Sequence, residues 1–265
     1  MKKNIWSIIV DDQITIRVHH FIRIKSTNIE AIQLAKNNYP AWTVVVADEQ
    51  TAGRGRYNRQ WNSPAGLGLW FSIILRPKVD IKFLNLMNLA TALAIRNFLQ
   101  KIFIQIVSDT TAEVKLKWPN DILINHKKIC GILLESGLNN NQLNYVVIGI
   151  GINLNQSLPD FTGDLQKTAT SLKIETNKEW DLRNTLKKFL IHYYYAIQSE
   201  LEKKFMTTVA DYEQHMLFKG QNVQIKLKEN KIFGMMKGID EFGHLRLWTG
   251  REERLINTGD LWQIN

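Results

Sequence analysis

Residues 50–61 read QTAGRGRYNRQW, and the rest of the chain is read outward from them. Gly53 and Gly55 alternate with Arg54 and Arg56, and Arg59 follows. Glycine lets a backbone come close to a bound group and take positive φ. Arginine brings a permanent charge and a fork of donors shaped for phosphate or carboxylate. A valine run, Val44 to Val46, leads in and Trp61 closes the stretch. The expectation is a mobile cationic loop leaving a buried strand and folding over an anion. A dinucleotide fingerprint is excluded because Asn58 stands where GxGxxG needs its third glycine, and no GK[ST] of a Walker loop is present. An ordinary solvated loop has a similar composition, so the stretch alone says anion and no more.

Upstream, ITIRVHHFI (14–22) alternates Ile14, Ile16, Val18, His20 and Ile22 on one face, as a half-buried strand does. His20 reads as a histidine at the core edge. In KSTNIEAIQLAKN, Thr27 followed by Glu30 matches a capping box and predicts a helix from about Asn28. Ser26, Thr27 and Asn28 then lie at a helix N-terminus, where hydroxyls and free N–H groups can meet a polar ligand. Capping alone would account fully for Thr27.

Downstream, GLGLWFSIILRP is a near-continuous apolar run that predicts a central strand. Met87, Ala90, Ala94 and Phe98 carry helical spacing over 82–102, and a polar cluster from Asp109 to Ala112 marks a loop. Strand-like runs follow at 114–118, 122–125, 129–135 and 145–153. Between them KWPNDI, Lys117 to Ile122, reads as a turn because of Pro119 and the Asn120-Asp121 pair, with Trp118 packed inward. A carboxylate on an inward turn needs a partner, and the arginines of the glycine loop are candidates for Asp121. In KKICGILLES, Lys127 and Lys128 lead into a strand with Gly131 at its middle, and VVIGIGINLN repeats the device with Gly149 and Gly151, ending at Asn153 and Leu154. Glycine inside a strand marks close approach of a ligand or another backbone.

Residues 178–204 form the longest helical pattern, with Leu182, Leu186, Phe189, Tyr193, Ile197 and Leu201 on one stripe. The cluster Tyr193 to Tyr195 reads as core, and a short helix over 207–217 follows. From Lys219 the texture changes. NVQIKL, KIFGMMKGI, HLRLW, RLI and LWQI alternate with turn signals at Glu229-Asn230, Phe242-Gly243, Gly250 and Gly259, which predicts a small five-stranded barrel. The expected division is a larger part over 1–218 and a small one over 219–265.

With 265 residues, 45% hydrophobic and 22% charged, the chain has the composition of a globular enzyme. A net charge of +9 favours anionic partners without choosing among them. Asp11 and Asp12 break the N-terminal apolar run, so no signal peptide is expected, and no apolar stretch reaches the roughly 18 residues of a membrane span. The single cysteine, Cys130, excludes an internal disulfide and fits a cytoplasmic protein; it reads as a small buried residue. The six histidines show no HExxH, and no metal site is assigned.

Taken together, GRGRYNRQW, KWPND, KKICGILLE, STN at 26–28 and GIGIN at 149–153 resemble, in this chain order, the signature segments of biotin–protein ligases. The resemblance implies an α+β catalytic domain with a mixed sheet, related to class II aminoacyl-tRNA synthetases and shared by biotin and lipoate ligases. An SH3-like barrel would follow it. It implies that biotin and ATP give biotinyl-5′-AMP and pyrophosphate, and that a specific lysine of a biotin carboxyl carrier protein, such as that of acetyl-CoA carboxylase, then takes the biotin. By resemblance, Ser26, Thr27, Asn28, Gln50, Gly53, Gly131 and Gly149 would hold biotin, with Ser26, Thr27 and Gln50 serving the ureido ring. Arg54, Arg56 and Lys128 would bring carboxylate and phosphate together. Arg59, Trp61, Lys117, Asn120 and Asn153 would join them around the nucleotide. Asp121 would orient Arg56 or accept a proton from the attacking amine. Magnesium is expected with ATP, held by phosphates and water.

Too little chain precedes Ser26 for the helix-turn-helix domain of family members that double as repressors, so no DNA is expected as partner, and no membrane. Homodimers are common in the family, but no segment here marks an interface. At the C-terminus GDLWQIN departs from the family's GEVSLR-like end, and Ala169 stands where some members place a tryptophan against adenine. Two rivals stay open. One is a lipoate–protein ligase, whose loop signatures differ. The other is a non-catalytic nucleic-acid-binding module, which needs clustered basic residues and exposed aromatics on one face.

Overall fold

Valine- and isoleucine-rich runs with few breaks build the first half of the computed structural model, which describes residues 3–12, 14–106, 113–140, 142–227 and 230–264. The chain divides into two compact units, Met1–Asp80 with Lys127–Ile191 and Ile81–His126 with His192–Asn265.

In the first unit the strands are β1 (Lys3–Ile9), β2 (Thr15–Ile24), β3 (Thr43–Gln50) and β4 (Gly68–Leu75), then β7 (Lys127–Asn139) and β8 (Gln142–Asn153). Their hydrogen-bonded order is β1-β2-β3-β4-β8-β7. β2 and β3 pair in parallel, and the other neighbours pair antiparallel, which makes the arrangement mixed. Every residue of β4 is buried, as a strand covered on both faces requires. Helix α1 (Thr27–Lys36) packs Ala31, Leu34 and Ala35 against Phe21, Val45, Ala47, Ile74 and Val147. On the other face Phe189, from the first half of α5 (Leu182–Glu202), meets Phe71 edge-on at 5.5 Å. Two short helices, α3 (Leu165–Thr168) and α4 (Leu172–Thr176), complete the unit.

The second unit holds α2 (Leu84–Ile106), the β5 (Val114–Lys117) and β6 (Asp121–Ile124) hairpin, the rest of α5, and α6 (Thr208–Gln214). Met87, Ala90, Ala94 and Phe98 are all buried on α2. The second half of α5 joins it through a hydrogen bond of 2.9 Å between the Tyr193 and Thr91 hydroxyls. The C-terminal strands are β9 (Asn222–Leu227), β10 (Asn230–Ile239), β11 (Leu245–Trp248), β12 (Glu253–Ile256) and β13 (Asp260–Gln263). They form an antiparallel sheet in the order β12-β11-β10-β9-β13. Val223, Ile225, Met236, Leu245, Leu247 and Leu261 are its core side, while Phe233, Trp248 and Trp262 stay exposed. The five runs read from the sequence thus correspond to the five strands.

Several local expectations change. β1 is an edge strand that the sequence reading passed over. On β2 the predicted buried face holds through Val18, after which Phe21 and Ile24 are buried against α1 and Ile22 is 56% exposed. The cap of α1 is Ser26, not Thr27. α5 begins at Leu182 rather than 178, and Tyr195 is exposed although Tyr193 and Tyr194 are core. The polar cluster Asp109 to Ala112 and Glu229 lie outside the described residues.

Candidate active site

The site is built within the first unit, where the N-terminus of α1 meets the chain leaving β3. Thr27, released from capping, donates its backbone N–H (2.8 Å) and its hydroxyl (3.1 Å) to Gln50 Oε1. A backbone N–H can only donate, so this bond fixes the orientation of the Gln50 amide. Gln50 Nε2 then donates to Ser63 Oγ at 2.8 Å. Asn28 turns its amino group toward β7, donating to Leu133 O at 3.2 Å and Glu135 Oε2 at 2.8 Å. Its carbonyl oxygen lies 2.5 Å from Ser72 Oγ, which is also 2.8 Å from Thr27 Oγ1. Ser26, Thr27, Asn28, Ser63 and Ser72 are all buried.

The 50–61 stretch is an ordered hairpin rather than an open loop. Gln50 N donates to Ser63 O, Trp61 N to Gly53 O, and Gly55 N to Arg59 O. The tip is a short 3-10 turn over Arg56–Asn58. Positive φ falls on Tyr57 and Asn58 at the tip, not on the glycines. Gly53 is required by close approach instead: a Cβ there would strike the Trp61 carbonyl and come within 2.8 Å of Ser63 Oγ. At the tip Arg56 lies 5.0 Å and Arg59 5.7 Å from the Tyr57 ring, and Arg56 Nη2 donates to the Tyr57 hydroxyl at 3.2 Å.

Strand glycines make the floor. A Cβ on Gly151 would fall 2.5 Å from the Trp61 indole, and one on Gly131 2.8 Å from it and 3.2 Å from Lys128 Cε. A Cβ on Gly149 would run into Asn28 Oδ1. Trp61 therefore lies across a floor that only glycine provides, with Lys128 Nζ 5.1 Å from its ring centroid. Arg54 Nη2 pairs with Glu135 Oε2 at 2.7 Å. Arg54 Nε and Trp61 Nε1 are buried N–H groups with no acceptor. Leaving such a donor unmet costs about 1–3 kcal/mol, and two of them on one hairpin fit a site built to receive ligand oxygens.

Of the expected residues, the structure brings Thr27, Asn28, Gln50, Gly53, Arg54, Trp61, Lys128, Gly131 and Gly149 into this network and floor, with Ser26 buried beside them at the N-cap of α1 and Arg56 and Arg59 at the hairpin tip. Asn153 is buried with its amide engaged inside the protein: Nδ2 donates to Thr170 O at 2.9 Å and Oδ1 accepts from Gln156 at 3.0 Å. Ala169 bridges Lys128 as a short parallel pair. Lys117, Asn120 and Asp121 belong to the second unit, on the β5–β6 turn. There Asn88 donates to Pro119 O at 2.6 Å and Trp118 to Gly243 O at 3.2 Å, which makes Trp118 a packing residue. Burial, helped by the Asp121 charge, pushes the Tyr212 hydroxyl up from its ordinary pKa. Cys130 is fully buried.

Glu135, Ser63 and Ser72 were not anticipated. Ser72 had a legible signal, since a hydroxyl in the middle of an all-apolar strand needs a buried partner. Glu135 had none, because its partners Arg54 and Asn28 are far away in sequence.

The comparisons with known proteins agree on one family. The biotin/lipoate A/B protein ligase family is matched by residues 20–153 and the biotin protein ligase C-terminal domain by residues 218–261. The bifunctional ligase/repressor BirA of Bacillus spizizenii is 35% identical over 238 residues, which cover 90% of this chain and 71% of that one. A biotin–[acetyl-CoA-carboxylase] ligase of Mycobacterium tuberculosis is 29% identical over 220 residues, covering 82% and 77%. Among solved structures, the biotin protein ligase of Aquifex aeolicus in complex with biotin and ATP superposes with a TM-score of 0.76 at 32% identity, over 92% of this chain and 97% of that one. With two family domains matched in order and a third of residues shared with a ligase over nine-tenths of this chain, this chain belongs to the biotin protein ligase family.

Proposed function

We propose that the protein activates biotin with ATP to biotinyl-5′-AMP and transfers the biotin to one lysine of a biotin carboxyl carrier protein, as a biotin–[acetyl-CoA-carboxylase] ligase. The observation that carries this is the buried Thr27–Gln50–Ser63 hydrogen-bond set, which adjoins a cationic hairpin over a glycine floor. A ureido ring offers one carbonyl oxygen and two N–H groups, and the hydroxyls and amide at this place supply the complementary acceptors and donor. Sites of this kind reject analogues that lack matching polar atoms, because their own groups are then left unpaired.

In the first step a biotin carboxylate oxygen forms a bond to the α-phosphorus and the bond to pyrophosphate breaks. Arg54, Arg56 and Lys128 offset the repulsion between the two anions; each charge-assisted bond is worth about 1.5–3 kcal/mol. The buried Nε–H of Arg54 and Nε1–H of Trp61 are donors available to the new acyl phosphate. In the second step the carrier amine attacks the acyl carbon, AMP leaves, and the amine's surplus proton passes to a base. Asp121 takes that proton or orients Arg56. Lys117, Asn120 and Arg59 serve the nucleotide, and Asn153 acts indirectly by bracing the segment at Thr170. Magnesium would enter with ATP, held by phosphate and water oxygens.

A boundary between a catalytic part through 218 and a C-terminal domain from 219 is supported by the family match beginning at residue 218 and by β9 beginning at Asn222. A cytoplasmic location is supported by the lone, buried Cys130. Incubation with ATP and labelled biotin or lipoate, with an acceptor domain for each, tests the substrate. Label transfer from biotin alone is expected; transfer from lipoate instead would refute the reading.

A further inference from the structure

We propose that Glu135 is a positioning residue that holds Arg54 and competes for it with the ligand's anionic oxygens. This rests on the ligase reading above and assigns a role to a residue outside the signature loop.

One carboxylate oxygen, Glu135 Oε2, accepts from both Arg54 Nη2 at 2.7 Å and Asn28 Nδ2 at 2.8 Å. It therefore joins two parts of the site with different duties. From Asn28 the bonds continue to Ser72, Thr27, Gln50 and Ser63, the polar set assigned to the ureido ring. From Arg54 they continue into the cationic hairpin. The Arg54 guanidinium is only partly satisfied, since its Nε–H is buried and unpaired. An arriving oxyanion competes with Glu135 for Nη2. Both oxyanion and Glu135 carry negative charge, so they cannot share the guanidinium without repulsion. An unrestrained arginine would take up free phosphate or pyrophosphate as readily as the reacting pair. With Glu135 in place, anions lacking the biotin contacts compete poorly. Glu135 thus exchanges ground-state anion affinity for selectivity and for release of the spent nucleotide.

The charge and the strut functions of Glu135 separate by substitution. Glu135→Gln keeps an oxygen to accept from Asn28 but removes the competing charge. Glu135→Ala removes both. By calorimetry on the full chain, Glu135→Gln is expected to bind biotin about 3- to 10-fold more tightly, with slower turnover in carrier biotinylation. Glu135→Ala is expected to bind it more weakly. In an Arg54→Ala background, Glu135→Gln is expected to leave biotin affinity unchanged. Weakened or unaltered biotin binding in Glu135→Gln would overturn the proposal, as would an effect that persists without Arg54. Circular dichroism checks folding of each variant. Absence of biotin-dependent pyrophosphate exchange in the unsubstituted protein would instead count against the ligase reading, with the calorimetric comparison still deciding the role of Glu135.

Discussion

The indole of Trp61 lies 2.5 Å from the point where Gly151 would carry a Cβ. The two residues are therefore matched: the glycine gives the ring its resting place, and the ring closes over the strand. Gly151→Ala forces either the indole or β8 to move. Overpacking of this sort costs about 1–3 kcal/mol, and here β8 is held by a paired strand on each side, so the indole at the end of the hairpin is the partner expected to shift. Stability is expected to fall little, while biotin affinity falls at least about 10-fold because the hairpin no longer seats. Chemical denaturation and calorimetry on the same variant separate the two. A large stability loss with unaltered biotin binding would show that β8, not the hairpin, gives way.

Gln50 is the hub of the polar set. Gln50→Ala leaves the buried N–H of Thr27 without its partner and removes one bond each from the Thr27 hydroxyl and Ser63, which keep Ser72 and the Trp61 carbonyl. Unmet buried groups cost about 1–3 kcal/mol each, so biotin binding is expected to weaken about 10- to 100-fold. The KM for ATP should change far less, because no bond of Gln50 reaches the arginines directly. Equal losses for both substrates would place Gln50 in the general scaffold.

Arg56 sits at the hairpin tip against Tyr57, where it can cap a bound adenylate. Removing one charge-assisted bond worth about 1.5–3 kcal/mol should speed adenylate loss by about 10- to 100-fold. Arg56→Gly is expected to make adenylate but release it, so biotin appears on exposed lysines of bystander proteins. A filter-binding assay for free biotinyl-5′-AMP checks this, and full retention by the variant would exclude the capping role.

Acid stability has a specific contributor. His19 is 1% exposed, with neither ring nitrogen hydrogen-bonded, and its ring meets Tyr39 edge-on at 5.5 Å. Burial, with the nearby charges of Lys3 and Arg17, lowers its pKa from 6.5 to about 4. The unfolded chain then takes up a proton as pH drops through 6.5, and the folded protein does not until about 4. Folding stability from this group is therefore constant above 6.5 and is lost as pH falls toward 4. The loss by pH 5 is about 2 kcal/mol. Urea denaturation at pH 7.5 and pH 5 should show that difference shrink in His19→Leu. An equal pH dependence in both proteins would remove His19 as the cause.

The local patterns carried most of the architecture because periodicity and turn residues are local facts. The run 68–75 and the five short strands after Lys219 fell where alternation and glycine placed them. The misses have physical reasons. β1 is an edge strand with little buried surface, so its pattern is weak. Thr27 met the capping rule, yet its hydroxyl serves Gln50 and Ser26 takes the N-cap position without a side-chain bond, a choice made by a residue farther along the chain. The glycines of the hairpin were read as allowing positive φ and close approach to a bound group, whereas Gly53 is needed because the chain's own Trp61 carbonyl and Ser63 crowd there. Glu135 closed a segment read for Lys128 and Gly131, and only the fold brings it to Arg54 and Asn28.

The central claim is that the hydrogen-bond set at Thr27 and Gln50 and the arginine hairpin together join biotin's carboxylate to the α-phosphate of ATP. Biotin-dependent exchange of labelled pyrophosphate into ATP measures that step directly. Exchange that requires biotin, ignores lipoate and falls sharply in Gln50→Ala is the expected result. Folded protein that shows no exchange with biotin, or exchanges equally without it, would contradict the account.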